Sequence, residues 1–167
     1  MTDMLDPFRL VVLKALTASL EGITEANGFQ HTLTGAVFRG RMILTQDDPL
    51  PCLTVFEPPT APDEVEPPAD TSARHNKHPL IVQGFAKDDR THPTDPAYRL
   101  LADVQKRLSQ ERQRDSGYDI LGLGPRLMGL HIGQGVVRSP DTVISGDCFF
   151  WLPITLEYVE DLQNPFA

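Results

Sequence analysis

The stretch PLIVQGFAKDDRTHPTDPAYRLLADVQKRL, residues Pro79–Leu108, contains the clearest change from strand to helix in the chain. Its apolar run Leu80–Phe85 is typical of a buried strand. After a polar loop, Asp95 is a predicted N-cap and Pro96 suits the first helical position. Apolar residues then recur every three or four positions: Ala97, Leu100, Leu101, Val104 and Leu108. The opposite helix face is expected to meet solvent: Arg99, Asp103, Lys106, Arg107 and Gln110.

The residues that precede this stretch predict another helix. Apolar residues recur there at helical spacing: Phe8, Val12, Leu16 and Leu20. Asp6 is the predicted N-cap, Pro7 the first helical residue and Glu21 the last, because Gly22 ends the pattern.

Two strands are predicted between that helix and Pro79. The alternation over Leu33–Thr45 indicates a half-buried strand with Arg39 and Arg41 on its polar face. Its apolar face has four members: Ala36, Phe38, Met42 and Leu44. The apolar run Cys52–Phe56 predicts a covered strand, which we expect to pair with Leu80–Phe85 as a long hairpin.

The C-terminal part predicts two more strands. The first alternates apolar residues with small or polar ones: Met128, Leu130, Ile132 and Val136. The second has the longest alternating series in the chain: Cys148, Phe150, Leu152, Ile154, Leu156 and Tyr158. Because proline has no N–H to donate, Pro153 predicts that the second strand is an edge or contains a bulge.

These elements predict an α+β fold, in which two helices pack on one face of a mainly antiparallel sheet. The 167 residues suit one hydrophobic core, so we expect a single domain over residues 1–167. Glu57–Ala73 combines five prolines and several acidic residues with no Lys or Arg. This composition predicts a long, mobile, acidic loop between two strands, at about residues 57–78.

The charge balance disfavours some classes of function. The chain has 23 acidic and 15 basic residues, a net charge of -8 at pH 7 and a pI near 5.0. A nucleic-acid-binding protein is disfavoured because a grip on phosphates needs clustered positive charge. We also expect neither a signal peptide nor a membrane span, because no basic segment followed by an apolar one starts the sequence and no apolar run of about 18 residues occurs in it. We therefore expect a cytoplasmic product that does not bind membranes.

The sequence offers few candidates for chemistry. His75 and His78 are the closest pair of histidines, but a structural zinc site needs about four ligands. Asp88, Asp89 and His92 share one loop, which leaves a metal-dependent hydrolase as a remote alternative. Since no nucleophile, base or metal cluster stands out, we expect no enzymatic activity, metal or cofactor.

Two aromatic residues mark a second apolar surface. Phe149 and Trp151 lie on the last strand, on the face opposite its main apolar series. Two helices cover one face of a small sheet, so the second face is covered either by another segment of the chain or by another subunit. Phe149 and Trp151 are therefore candidate interface residues.

Residues Pro79–Leu108 and the C-terminal sequence ITLEYVEDLQNPFA resemble the tail terminator (tail completion) proteins of long-tailed bacteriophages and prophages. In that family a strand ending in a Gly–aromatic pair, here Gly84–Phe85, leads through an acidic loop into a helix opened by proline. The chain of those proteins closes with a long strand. The resemblance covers both halves of the sequence, and Pro79–Leu108 carries its specific part.

The resemblance implies a structural subunit of the virion, assembled in the host cytoplasm, that forms a hexameric ring at the head-proximal end of the tail tube. The ring stops tube polymerisation, binds the neck or connector protein and lets genomic DNA pass through its lumen. Five charged residues are candidates for contacts with neighbouring subunits or with the tube protein: Arg39, Arg41, Asp88, Asp89 and Arg90. Another head–tail neck protein, a connector adaptor or a head completion protein, is the alternative of the same size and fold type.

Overall fold

The computed structural model describes residues 4–59, 72–142 and 144–166. Short turns of 3₁₀ helix follow α1 and link α2 to β4. The α+β class is confirmed. In chain order the helices and strands are α1 (Phe8–Glu21), β1 (Val37–Arg39), β2 (Cys52–Phe56), β3 (Ala73–Ala86), α2 (Asp95–Gln113), β4 (Leu127–Ile132), β5 (Val136–Arg138) and β6 (Cys148–Asp161).

The strands form one mixed, mostly antiparallel sheet in the order β1–β2–β3–β6–β4, with β5 also pairing with β6. Its centre is the antiparallel pair of β3 and β6, each 14 residues long. The predicted hairpin is confirmed, because Cys52 of β2 pairs with Phe85 of β3. β1 differs from the other strands because it runs parallel to β2.

Both helices pack on the same face of the sheet. Their apolar stripes and alternate residues of β6 join in one buried cluster, as the helical and strand spacings predict. The predicted apolar series of β6, from Cys148 to Tyr158, is buried throughout. The predicted helix Pro7–Glu21 is also confirmed, one residue shorter at its start.

The predicted helix caps are wrong by one position. Pro7 is the N-cap of α1, and no side chain caps that end. Asp6 instead forms an ion pair with Lys14. Thr94 precedes α2, so Asp95 lies inside the first turn, 3.8 Å from the guanidinium of Arg99.

The predicted strand Leu33–Thr45 is wrong over most of its length. Only Val37–Arg39 pairs as a strand, and Gly35 and Gly40 on either side have φ of +71° and +65°. This left-handed backbone, which glycine adopts without strain, turns the chain out of the sheet. Met42 is therefore 63% exposed instead of lying on a buried face.

Pro153 does not place β6 at an edge, since β6 lies between β3 and β4. Its carbonyl accepts a hydrogen bond from the Gly133 N–H at 2.8 Å. In an antiparallel strand the N and C=O of one residue point to the same side. The missing N–H thus falls where β4 has ended at Ile132 and β5 begins only at Val136.

Two further expectations need correction. The loop predicted at about residues 57–78 lies mainly outside the described residues, but residues 73–78 belong to β3, because the long strand β6 pairs with them. The alternation predicted through Met128 is interrupted by a register shift between Leu127 and Gly129. As a result, Leu127 is buried and Met128 is 47% exposed.

Candidate functional site

Arg39 lies between two concave regions at the edge of the sheet where α1 crosses β1. Its guanidinium donates a hydrogen bond to the hydroxyl of Thr17 at 3.2 Å. One cavity, of about 460 Å³, extends from Lys14 to Glu21 along α1, and β1 forms its other wall. The second, of about 260 Å³, has mainly apolar walls. We call the two cavities together the edge groove; the second is lined by Leu10, Leu13, Arg39, Gly40, Val55, Phe56 and Glu57.

The Arg41 side chain interacts with residues of its own chain around the segment between β1 and β2. Its guanidinium lies 2.7 Å from a carboxylate oxygen of Asp48 and 4.7 Å from the centre of the Phe38 ring. The backbone N–H of Thr45 lowers the pKa of Asp48, and Arg41 lowers it further. Arg41 therefore ties the two ends of the segment between β1 and β2 together.

Asp88, Asp89 and Arg90 lie together in the exposed loop between β3 and α2. The Asp89 carboxylate accepts hydrogen bonds from the backbone N–H groups of Thr91 at 2.8 Å and His92 at 2.7 Å. These two bonds lower the pKa of Asp89. Asp89 thus shapes the turn that leads into α2, as a short acidic side chain often does.

The two aromatic candidates differ in exposure. Phe149 is completely buried in a second, smaller apolar cluster with Ala36, Cys52 and Phe85. Trp151 is half-buried against the same cluster, and so is Leu44 of the segment that follows β1. The segment that follows β1 therefore covers this end of the second face, and Phe149 has no exposed surface to offer another subunit.

Beyond this cluster the second face carries a group of charged side chains. Glu157 of β6 lies between His75 of β3, at 3.9 Å, and His131 of β4, at 3.4 Å. Gly129 leaves room for this contact, because a Cβ there would come within 2.9 Å of the His131 ring. Within residues 4–59, 72–142 and 144–166, no three His, Cys, Asp or Glu side chains are grouped so as to hold a metal ion.

A polar cluster around the buried His78 and Tyr158 lies where the start of α1 meets β3, β6 and the end of β2. Nδ1 of His78 is 3.1 Å from the Tyr158 hydroxyl. Nε2 of His78 is 3.0 Å from a carboxylate oxygen of Glu57, an ion-pair distance, but the geometry is not that of a hydrogen bond. The second Glu57 oxygen is 3.4 Å from the guanidinium of Arg9.

Burial controls the ionisation of this cluster. It lowers the pKa of His78, and the positive charge of Arg9 acts in the same direction, against the opposing effect of Glu57. Burial also raises the pKa of Tyr158 to about 12. These surroundings fit a neutral imidazole whose Nδ1 accepts a hydrogen bond from the Tyr158 hydroxyl.

Two acidic residues of α2 link the helices and the loop after α1. Asp103, expected to face solvent, is buried and accepts hydrogen bonds from the backbone N–H of Gln30 and His31 and from the His31 ring. Glu111 is buried too, with the Ser19 hydroxyl at 3.0 Å and the Arg107 guanidinium at 2.9 Å.

The burial of these polar residues is not predicted by the sequence patterns. Their partners lie 72 to 92 positions away along the chain for His31–Asp103, His78–Tyr158 and Ser19–Glu111. Periodicity reports which face of an element is apolar, and it cannot report a distant partner. The one available signal is His78 itself, because it lies two residues before Leu80 and therefore shares a strand face with that buried residue.

No protein-family model matches the chain, and no curated protein is significantly similar to it in sequence. None of the helices in the part of the chain that the structure describes is long and apolar enough to cross a membrane.

Proposed function

We propose that this protein is a phage tail terminator, a structural subunit that forms a ring on the head-proximal end of a tail tube. The observation that carries the proposal is the continuous unit from β3 through the charged loop at residues 87–94 to α2, followed by the long strand β6 as the last strand of the sheet. This is the order of elements on which the resemblance to tail terminators rests. Gly84 and Phe85 stand near the end of β3, where that family has its Gly–aromatic pair.

The open ends of the sheet support assembly into a ring. β1 and β4 lie at opposite ends of the strand order, so the two edges of one subunit are different surfaces. Contact between different surfaces of identical subunits is heterologous, and it closes into a ring when the rotation between subunits divides a full turn. Unpaired strand edges also provide backbone groups for contacts between subunits.

The charged loop between β3 and α2 supports contact with the tube or the neck. Asp88 and Arg90 are exposed, while Asp89 fixes the turn that presents them. The same arrangement weighs against the hydrolase alternative, because one Asp89 oxygen is already used by two backbone N–H groups. The net charge of -8 suits a lumen through which DNA passes without binding.

The test is an assembly reaction with the tail tube protein of the same phage or prophage. Purified tube protein is polymerised with and without this protein, and tube length and end structure are recorded by electron microscopy. A terminator produces short tubes with one capped end, and these then bind the neck protein. Tubes of unchanged length with bare ends, together with binding to head portals, would point to a connector adaptor or a head completion protein.

A further inference from the structure

The edge groove has the features of a docking site for an extended peptide segment. Ala36 and Gly40 bond to β2 through their backbone C=O and N–H groups, respectively. Backbone groups alternate in direction along a strand, so those of Val37 and Arg39 point away from the sheet. No strand among the described residues pairs with that edge. An added strand can therefore form main-chain hydrogen bonds there.

The dimensions of the groove set the length of such a segment. Its helical wall extends from Leu10 to Glu21, which is about 16 Å at 1.5 Å per residue. An extended chain rises about 3.3 Å per residue, so about five residues fill the groove. The cavity of about 260 Å³ at one end has apolar walls that include Leu10 and Phe56, and it suits apolar side chains.

The chain itself contains a segment that fits these requirements. Met4 and Leu5 precede α1 outside regular secondary structure, and they are 93% and 74% exposed. Large apolar side chains held in water favour burial against another surface. In the sequence Asp3 and Asp6 flank the pair. Asp6 forms the ion pair with Lys14 of its own chain described above, so Asp3 is the carboxylate that the segment offers to a neighbouring subunit.

The charge of Arg39 complements that segment. Arg39 is exposed, and the hydrogen bond described above joins its guanidinium to a neutral hydroxyl. The groove lining also contains Lys14, Glu21 and Glu57. Arg39 is the cation shared by both cavities, so a carboxylate of the occupant is favoured beside it. In its own subunit the Met4–Leu5 pair does not reach the groove, because both side chains remain exposed.

We propose that the edge groove binds the Met4–Leu5 segment of a second copy of this chain. The groove and the segment are different surfaces of the subunit. Each subunit therefore binds the segment of one neighbour in its groove and places its own segment in the groove of the other neighbour, as a closed ring requires. The inference rests on the proposed function and deepens it, since it assigns one contact between neighbouring subunits.

The first test compares two double variants of the full chain in sedimentation across a concentration series. M4D/L5D replaces the proposed docking residues. M42D/I43D replaces another adjacent exposed apolar pair, at 63% and 79% exposure, in the loop after β1. We expect the half-assembly concentration to rise at least about tenfold for M4D/L5D, because two apolar side chains lose their burial on assembly. For M42D/I43D we expect the half-assembly concentration to stay within about twofold of the wild-type value.

The second test identifies the contact directly. Full-length L5C and L10C proteins, one of them enlarged by a tag, are mixed and oxidised. The native Cys52 and Cys148 are buried and do not compete. The mixed L5C–L10C dimer is expected to exceed both homodimers, and replacing L5C with I43C removes that excess. Equal assembly of M4D/L5D and wild type, or no excess of the mixed dimer, overturns the inference and leaves the ring itself intact. A wild type that never assembles, even with tail tubes, overturns both proposals.

Discussion

The hydroxyl of Tyr158 lies 3.1 Å from Nδ1 of His78 in the core, and both side chains are buried. Their rings meet edge to face, with centroids 5.9 Å apart. β3 and β6 place the two residues on adjacent strands under α1. The contact joins the centre of the sheet to the start of the first helix, because Phe8 also packs edge to face on Tyr158.

This relationship predicts a pH-dependent stability. Burial lowers the pKa of His78 from 6.5. Below pH 6.5 the unfolded chain therefore binds a proton at His78 that the folded chain does not bind. Stability is therefore fully present above pH 6.5 and falls as the pH drops towards the lowered pKa. In urea unfolding at pH 7.5 and 5.5, we expect H78Q to show a smaller loss than wild type.

The exposed His92 offers a matched control for this experiment. The H92Q variant should keep the pH dependence of wild type. At pH 7.5, H78Q should unfold about 1–2 kcal/mol more easily than wild type, since the Tyr158 hydroxyl loses its buried partner. Equal pH dependence in H78Q and wild type would contradict the assignment.

Gly84 is packed so closely against core side chains that we expect it not to tolerate a larger residue. A Cβ on Gly84 would lie 2.2 Å from a ring carbon of Phe150 and 3.0 Å from Leu53. G84A should therefore lower the free energy of unfolding by about 1–3 kcal/mol, the usual cost of overpacking. G146A is the control, because nothing lies within 4 Å of a Cβ there, and it should change stability by less than about 0.5 kcal/mol. A neutral G84A would argue against this register of β3 and β6.

Replacing Asp103 with asparagine is expected to lower the free energy of unfolding substantially, although the side chain keeps its shape. One of its oxygens accepts three hydrogen bonds, from Gln30 and His31, at 2.7–3.0 Å. D103N keeps the shape but removes the charge and one acceptor, so it should cost about 1.5–3 kcal/mol in urea unfolding at pH 7.5. D88N changes an exposed aspartate and should be neutral. Similar effects of the two variants would mean that Asp103 does not fix the loop after α1.

Both cysteines should be inert in the folded protein. Burial raises the pKa of Cys52 to about 12 and also raises that of Cys148, so very little thiolate exists at pH 8. A thiol-reactive dye should label neither residue in the native protein and both in urea. Rapid labelling of one thiol per native chain would contradict the burial of these strands.

Regular patterns predicted most of the architecture. The alternation from Cys148 to Tyr158 and the helical stripe from Ala97 to Leu108 were interpreted correctly because each depends on neighbouring positions alone. The hairpin of Cys52–Phe56 with β3 was also predicted correctly, although the segment between its strands is long.

The features that were not predicted depend on contacts between residues that are far apart in the sequence. Asp103 has the spacing of a solvent-facing residue, yet the loop near Gln30 packs over it. Pro153 suits an edge strand in isolation, but a central strand tolerates it because β4 and β5 leave a gap beside it. The edge groove beside Arg39 depends on the angle at which α1 crosses β1, and no local sequence pattern predicts a crossing angle.

The solution mass of the full chain, measured by sedimentation or native mass spectrometry across a concentration series, tests the central claim most directly. A ring of six 18.6-kDa subunits has a mass of about 112 kDa. We expect a discrete species at that mass, either for the protein alone or when tail tubes are added. A strict monomer at every concentration, with or without tubes, would contradict it.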